Sequence, residues 1–162
     1  MSIYTRMGDN GNTITKNGVF RKSDCLIRVN GKIDSLQAQV DRLVLIKPLP
    51  FYKNINNDLS SMAALIAGYK ESATFSVVKL ELNIDEMMKN VKLTGFIRFT
   101  HESSIEFNEA RVRCRDLERE LVEFIDDKNP DRDKYSEALI YINRLSDYFF
   151  AISVLIEKLV ND

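Results

Sequence analysis

Apolar residues recur along most of this chain at the three- and four-residue spacing that places them on one face of a helix. The pattern predicts helices over residues 23–46, 52–69, 83–92, 103–125 and 132–160. The prolines, at positions 48, 50 and 130, lie where these predicted helices end or begin. No two segments show the alternation that paired strands require, so the expected fold class is all-α. We predict a four- or five-helix bundle that forms one domain over residues 1–162.

Three stretches lack this helical spacing. Residues 1–22 are polar and glycine-containing and predict a loop, while residues 71–76 predict a short connector. Residues 94–100 are aromatic and β-branched and predict an extended loop that crosses one end of the bundle. After this loop, Ser103 or Ser104 is a suitable N-cap, with Glu106 placed to complete a capping box.

The last predicted helix is apolar almost all round between Tyr148 and Leu155. A helix of this kind either lies at the centre of its bundle or is covered by another subunit. The sequence therefore indicates oligomerisation.

The composition is that of an ordinary globular protein, with 44% hydrophobic residues, 29% charged residues and a net charge of -1. This balance provides no global field for nucleic acid or an acidic membrane, so any polyanion site must be local. No apolar run of membrane-spanning length and no signal peptide is evident, and the two cysteines indicate reduced thiols. We therefore expect a cytoplasmic protein without a membrane or nucleic-acid partner. The single His101 excludes a histidine-rich metal site.

The fourth predicted helix carries a high density of arginine. Arg111, Arg115 and Arg119 lie four residues apart and therefore on one face, about 5–6 Å apart at Cβ. Three guanidiniums at that spacing repel one another unless carboxylates pair with them or the face meets a polyanion. The pattern leaves both alternatives open, because the carboxylates between residues 109 and 120 could neutralise a solvated face.

The polar start of the chain has the composition of an anion cradle. Gly8, Gly11 and Gly18 let backbone N–H groups approach an anion, and threonines with Arg6 and Lys16 supply further donors. The segment is not a Walker loop, because the G-K-[ST] ending is missing. A flexible N-terminal arm is the alternative interpretation.

Four longer stretches follow one another along the chain. Residues 4–13 read YTRMGDNGNT, residues 31–36 read GKIDSL, residues 110–119 read ARVRCRDLER, and residues 141–150 read YINRLSDYFF. With these stretches in this order, the chain resembles the ATP:corrinoid adenosyltransferases of the trimeric helical-bundle type. The corresponding family patterns are Y-T-[KR]-x-G-D-x-G-x-[TS], G-T-x-D-E-L, A-R-x-x-C-R-R-A-E-R and [FY]-[LI]-N-R-L-S-D-x-L-F. The last two matches are the most specific.

The resemblance implies an enzyme that transfers the 5′-deoxyadenosyl group of ATP to the reduced cobalt(I) of a corrinoid such as cobalamin, and releases triphosphate. Cobalt is the nucleophile, so the protein supplies positioning and charge stabilisation rather than a base. The implied partners are a homotrimer, ATP, a reduced corrinoid, and a reductase or a corrinoid-dependent acceptor enzyme. Mg²⁺ would accompany the triphosphate, held by phosphate oxygens and water, with no side-chain ligand.

The resemblance also implies the site residues. Arg111, Arg115 and Asp34 would be catalytic, with Asp34 pairing with Arg111 to orient it, although an acid in a helix is otherwise simply solvated. Phe96 would press on the lower face of the corrin, which removes the lower axial ligand and makes cobalt easier to reduce. The ATP site would be completed across a subunit boundary and would contain Thr5, Arg6, Met7, Gly8, Asp9, Gly11, Thr13, Lys22, Arg115, Glu118, Arg119 and Asn143.

Several positions depart from the family pattern. Residues 99–101, Phe-Thr-His, replace a P-G-G turn in a segment one residue shorter, Ser35 replaces an acid, and Asp116 replaces an arginine. These changes fall toward the corrin and the edge of the arginine face, whereas the ATP side is nearly intact. Two alternatives to an active enzyme therefore stay open: a trimeric, non-catalytic paralogue that binds ATP or a corrinoid, and a plain helical interaction module.

Overall fold

A computed structural model describes residues 4, 6, 8–48, 51–93, 95–128 and 131–161, without the side chains of residues 128 and 161. These residues form a helical bundle with one small β-hairpin. The helices are α1 (Cys25–Ile46), α2 (Tyr52–Ile66), α3 (Val77–Met88), α4 (Glu102–Lys128) and α5 (Arg132–Asn161). The strands of the hairpin are β1 (Asn12–Thr15) and β2 (Gly18–Arg21). The helical-bundle prediction is confirmed.

The core lies between the long helices α1, α4 and α5, with α2 packed on α1 and α3 packed on α5. α4 runs antiparallel to α1, because its C-terminal half meets the start of α1 through Glu120 and Arg28, and its N-terminal half meets the end of α1 through Glu106 and Arg42. Large, fully buried side chains fill the centre: Ile33, Leu36, Leu43, Ile55, Leu59, Met62, Phe107, Tyr141 and Phe149. Burying such a side chain stabilises the fold by about 1.5–3 kcal/mol relative to leaving it exposed.

The hairpin corrects the prediction that residues 1–22 form a loop. Thr15 and Gly18 close a two-residue turn, and the strands pair antiparallel from there to Asn12 and Arg21. Phe20 packs against the bundle core. Each strand has only four residues, which is too short for a periodicity test to distinguish from a polar loop.

The turn of the hairpin rests against the end of α2. Gly68 has a φ of 78°, and a Cβ at this position would lie 2.6 Å from the side-chain amide of Asn17. The Nζ of Lys16 lies 6.0 Å from the ring centroid of Tyr69. α2 therefore ends at Ile66 rather than at the predicted residue 69, because the chain turns at a left-handed glycine that also makes room for the hairpin.

The third helix lies earlier in the chain than the sequence predicted, at Val77–Met88 rather than residues 83–92. Its Leu80 is fully buried and fixes this helix against the bundle. The connector before it is held by Asp58 of α2, whose carboxylate accepts the N–H of Ser76 at 3.1 Å. A contact between residues distant in sequence thus sets where this helix begins.

The start of α4 also differs from the prediction. The helix begins at Glu102, and His101 takes the cap position, where its Nδ1 accepts the N–H of Ser103 at 3.3 Å. The predicted capping box does not form, because Glu106 turns toward α1 and pairs with Arg42 at 2.6 Å.

A buried carboxylate ties the end of α5 to the start of α4. Glu157 is 6% exposed and accepts the N–H of Thr100 at 3.0 Å and the N–H of His101 at 3.2 Å. The hydroxyls of Ser104 and Thr100 also donate to it. These hydroxyl and N–H donors favour the ionised form, so they hold the pKa of Glu157 well below its ordinary range.

We expect the stability of the bundle to depend on the ionisation of Glu157. Because its folded-state pKa lies below the ordinary value of 4.5, the carboxylate stabilises the fold fully above that value and loses its contribution as the pH falls toward the folded-state pKa. Glu157→Gln should therefore lower the free energy of unfolding at neutral pH, and the difference from the parental protein should shrink in acid. Urea unfolding at about pH 7 and about pH 3 measures both differences. Equal differences at the two pH values would contradict this expectation.

Among the described residues, one helix, α5, meets the length and hydropathy criteria of a membrane span. Residues Arg132–Val160 reach a mean hydropathy of 1.4 over an 18-residue window, which by length and composition is sufficient to cross a bilayer. Inside the protein, 61% of that window is buried. Such burial is typical of the central helix of a bundle, which is one of the two roles that the apolar stretch between Tyr148 and Leu155 predicted.

Candidate functional site

The glycine-containing arm folds around a polar cavity. Lys22 closes the arm on itself: its Nζ donates to the carbonyl of Gly8 at 2.9 Å and its N–H donates to the carbonyl of Gly11 at 2.9 Å. The cavity has a volume of about 380 Å³, which lies within the usual range for small-molecule sites. We call it the arm pocket, and it is lined by Gly8, Asn10, Asn12, Thr13, Ile14, Val19 and Lys22.

A second cation braces the arm pocket from its rim. The Arg21 guanidinium donates to the carbonyl of Asn10 at 2.8 Å and to Oδ1 of Asn12 at 3.1 Å. Gly11, with a φ of 79°, lies beneath it, and a Cβ at Gly11 would be 3.2 Å from the guanidinium. The sequence interpretation missed Arg21, Asn10 and Asn12, because only the pairing of β1 with β2 brings Arg21 opposite these asparagines.

The remaining predicted residues of the arm lie outside the pocket lining. Arg6 and Asp9 are exposed, and Arg6 has a left-handed φ of 61°. The N–H of Asp9 donates to the carbonyl of Arg6 at 3.3 Å, so the two residues form one turn. Thr5 and Met7, also predicted to bind ATP, lie outside the described residues.

We expect Gly8→Ala to impair anion binding at the arm pocket with little effect on the fold. A Cβ at Gly8 would lie 2.9 Å from Nζ of Lys22, so the ammonium group must move away from the carbonyl that it now contacts. Because Lys22 is flexible, the loss of stability should stay below about 1 kcal/mol, whereas the affinity for a nucleotide triphosphate should fall about tenfold. Calorimetric titration with Mg-ATP and thermal unfolding without nucleotide measure the two effects. Unchanged affinity would show that Lys22 does not act in this pocket.

The predicted arginine face (Arg111, Arg115 and Arg119) lies on α4. Arg111 is half-buried: its Nε donates to Oδ1 of Asn108 at 2.8 Å, and its guanidinium lies 5.7 Å from the ring centroid of Phe150. Burial and the charge of Arg115 lower the pKa of Arg111 from its ordinary value. Arg115 and Arg119 are both exposed, and Arg119 pairs with Asp116.

The predicted pair of Asp34 and Arg111 does not form within one chain. α1 faces α4 through Lys32 and Ser35, which contact side chains of α4. Asp34 is next to Ser35 and is therefore rotated by about 100° around the helix axis, away from α4. Its side chain is exposed. The spacing of the sequence could not reveal this, because it does not specify which face of α1 meets α4.

Two of the positions that depart from the family pattern, Asp116 and Ser35, make separate contacts between α1 and α4. Asp116, which stands where the pattern has arginine, lies 3.5 Å from Nζ of Lys32 and also pairs with Arg119. Ser35, which stands where the pattern has an acid, accepts a hydrogen bond from Arg113. Asp116 therefore has two cationic partners in its own chain and does not remain as an unpaired carboxylate on the face.

Glu118 and Asn143, both predicted to bind ATP, are in contact between α4 and α5. The side-chain amide of Asn143 donates to Oε1 of Glu118 at 3.1 Å. Arg144 donates to Oδ1 of the same Asn143 at 3.0 Å and forms an ion pair with Glu81 of α3 at 2.9 Å. The sequence interpretation missed Arg144 and Glu81, which hold Asn143 in place.

Phe96, the predicted corrin contact, is 99% exposed at one end of the bundle. Farther along the same loop, the ring of Phe99 meets that of Phe150 edge-on, with centroids 6.1 Å apart. The guanidinium of Arg111 also contacts the ring of Phe150. The loop is thus joined to the arginine face through one aromatic ring, a contact that the sequence interpretation did not identify.

The predicted ATP-binding residues fall into two separate groups. No hydrogen bond or ion pair among the described residues joins residues 8–22 to Arg115, Glu118, Arg119 or Asn143. Among all the residues that the structure describes, no group of three or more His, Cys, Asp or Glu side chains is arranged to hold a metal ion.

Comparisons with known proteins agree on one family. The sequence model of a family described as cobalamin adenosyltransferase matches residues 3–156. The fold is similar to that of a lysine-for-arginine variant of a PduO-type ATP:corrinoid adenosyltransferase from Lactobacillus reuteri complexed with ATP, with a TM-score of 0.81, 24% identity and coverage of 99% of this chain and 96% of that one. Among curated protein sequences, none is significantly similar to the chain.

Two further structures of the Lactobacillus reuteri protein are also similar, and both are complexed with cobalamin and ATP. A phenylalanine-to-alanine variant has a TM-score of 0.75 and 25% identity, with coverage of 99% of this chain and 96% of that one. A phenylalanine-to-histidine variant has a TM-score of 0.72 and 26% identity, with coverage of 99% and 93%.

Proposed function

Because the chain belongs to the cobalamin adenosyltransferase family, we propose that it transfers the 5′-deoxyadenosyl group of ATP to the cobalt(I) of a corrinoid and releases triphosphate. The observation that carries the proposal beyond family membership is the arm pocket. Gly8, Thr13 and the ammonium group of Lys22 line a cavity of the chemistry and size that a triphosphate requires.

The reaction is a nucleophilic substitution at the C5′ carbon of ATP. The electron pair of cobalt(I) forms the cobalt–carbon bond, and cobalt becomes formally cobalt(III). The C5′–oxygen bond breaks, and triphosphate leaves with the electron pair of that broken bond. No side chain has to remove a proton. The protein therefore contributes by aligning C5′ with cobalt and by stabilising the negative charge that develops on the leaving triphosphate.

Lys22 and the arginine face would stabilise the negative charge on the leaving triphosphate. Arg115 and Arg119 are exposed and supply two permanent positive charges, one turn apart. Guanidiniums suit this role because their planar donors match phosphate oxygens in pairs. Asn143, held by Glu118 and Arg144, would offer its side-chain amide to the nucleotide. Mg²⁺ would enter with ATP, bound by phosphate oxygens and water rather than by side chains.

The two separate groups of ATP-binding residues support a homotrimer in which each site spans two subunits. The arm pocket of one subunit would meet the arginine face of its neighbour, and Asp34 would reach Arg111 across the same boundary. Exposed apolar residues on the face that carries Arg115 and Arg119 support this arrangement: Ile105 is 46% exposed, Val112 39% and Val122 38%. Residues of this kind along a charged face are typical of an interface.

Phe96 is the proposed contact with the lower face of the corrin. Its ring is almost fully exposed, so it is available to a planar ligand. An aromatic ring at that position would exclude the lower axial ligand of cobalt, and the four-coordinate cobalt that remains is more easily reduced to the nucleophile. A reductase and a corrinoid-dependent acceptor enzyme are the expected partners, in the cytoplasm.

The test is adenosyl transfer itself. The purified protein is mixed with Mg-ATP and a corrinoid kept reduced by a chemical reductant, and the absorbance spectrum of the adenosylated corrinoid is followed together with triphosphate release. Thermal unfolding with Mg-ATP reports nucleotide binding independently, and light scattering tests for three chains of 18.7 kDa. A protein that is stabilised by ATP but never produces the adenosyl spectrum would overturn the proposed activity.

A further inference from the structure

We propose that Glu157 is a positioning residue for the corrinoid, because it anchors the loop of residues 95–100 (the Phe96 loop) to α5. The inference rests on the proposed function, since it assigns a residue that would not touch the corrinoid to the side of the site where Phe96 lies. Glu157 stands outside every motif of the sequence.

Four of the donors to this buried carboxylate belong to residues that the structure describes. Two are backbone N–H groups, those of Thr100 and His101, at 3.0 and 3.2 Å. The other two are the hydroxyls of Thr100 and Ser104. Hydrogen bonds to an ionised acceptor are the stronger kind, and the N-terminus of a 27-residue helix adds a favourable dipole. The last residue of the Phe96 loop is therefore fixed relative to α5.

The next residue of α5, Lys158, makes a second contact, with the chain just before the Phe96 loop. Lys158 donates from its Nζ to the backbone carbonyl of Lys92 at 3.0 Å. Neighbouring residues of one helix thus contact the backbone on both sides of the Phe96 loop. Since the loop contains no helix or strand of its own within the described residues, these ties take the place of a regular turn.

The contacts of Glu157 and Lys158 are important because the loop carries Phe96, the proposed corrin contact. Phe96 is 99% exposed, so its own packing does little to hold it in position. Phe99 is held by its edge-on contact with Phe150. The chain here has Phe-Thr-His where the family pattern has a P-G-G turn, and Thr100 and His101 are the residues that Glu157 binds. Glu157 therefore binds two of the three residues that stand where the family pattern has its turn.

The first experiment measures the anchor without any ligand. Amide hydrogen exchange at Thr100 and His101, whose N–H groups donate to Glu157, should be slow in the parental protein and about tenfold faster or more in Glu157→Gln, which removes the charge and one acceptor oxygen. The matched control is Glu106→Gln, which removes a carboxylate that also joins two helices but does not touch the loop. Thr100→Val, which removes only a hydroxyl donor, should give a smaller change in the same direction if Glu157→Gln does not fold.

The second experiment measures the consequence for the site. In Glu157→Gln, the KM for the corrinoid should rise about tenfold, whereas the KM for ATP should stay within about twofold. The absorbance spectrum of the cobalt(II) corrinoid, bound with ATP, should also show less of the four-coordinate form. A merely structural role would change both KM values or neither, and would leave that spectrum unaltered.

The outcomes separate the two proposals. Faster exchange in the loop with an unchanged corrinoid KM and spectrum would overturn the positioning role, and unchanged exchange would overturn the anchor itself. If the parental protein transfers no adenosyl group, the proposed function fails and the role toward the corrinoid fails with it. The exchange experiment still decides, in that case, whether Glu157 holds the loop.

Discussion

Replacing Arg115 by alanine should lower kcat/KM for adenosyl transfer by about 10²–10³-fold, the usual effect of removing one preorganised donor to a developing negative charge. Arg115 is exposed and makes no hydrogen bond or ion pair among the described residues of its own chain, so its charge is available to the leaving triphosphate. Arg111 is engaged by Asn108 and Phe150, and Arg119 by Asp116.

The fold should tolerate this replacement, because alanine is the best helix former and Arg115 has no hydrogen-bond or ion-pair partner among the residues that the structure describes. Arg115→Lys should retain the charge but not the paired donors, and its activity should fall between the two. Arg132→Ala, at an exposed arginine near the start of α5, is the matched control and should transfer at the parental rate. Steady-state kinetics with ATP and corrinoid varied in turn measure these effects. Parental activity in Arg115→Ala would exclude this part of the arginine face from the site.

Replacing Phe96 by alanine should lower kcat by about tenfold or more while the KM for ATP stays nearly unchanged, because the ring would help only to bring the corrinoid toward its reactive, four-coordinate state. A ring that is 99% exposed contributes little to the core, so the variant should unfold at the parental temperature. The cobalt(II) spectrum in the presence of ATP should lose its four-coordinate component.

Leu82→Ala is a suitable control for Phe96, since Leu82 is another exposed apolar residue, 63% exposed, on α3. It should change neither the spectrum nor kcat. If Phe96→Ala reacted as fast as the parental protein, the corrin would have to bind elsewhere, and the interpretation of the loop would be wrong.

The helices could be predicted from the sequence because their apolar spacing is long and regular. α1 and α5 were placed to within two residues at either end, since each keeps one apolar stripe over more than five turns. α3 was misplaced because its position depends on tertiary contacts: Leu80 is buried by α5, and Asp58 holds the connector before it. The hairpin was missed because two four-residue strands carry too little pattern.

The sequence could predict many of the residues that belong to the candidate site, but it could not predict which residues come into contact there. The motifs identified Gly8, Thr13 and Lys22, and folding brings all three to one cavity. They could not indicate Arg21, which reaches the pocket only through strand pairing, nor Glu157, which is 57 residues from Thr100 in sequence. The sequence also does not specify which face of α1 meets α4. It therefore cannot decide whether Asp34 pairs with Arg111 of its own subunit or of a neighbouring one.

The ion pair between Lys32 of α1 and Asp116 of α4 has a consequence for which substitutions this chain can accept. Asp116 is matched by Lys32 at 3.5 Å, and both side chains are at least one third exposed, so the pair itself is worth only about 0.2–1 kcal/mol. Restoring arginine at position 116 alone, however, would place a cation against Lys32 and among the other arginines of the helix. We therefore expect the two positions to be coupled: arginine at position 116 should be tolerated better when Lys32 is replaced as well.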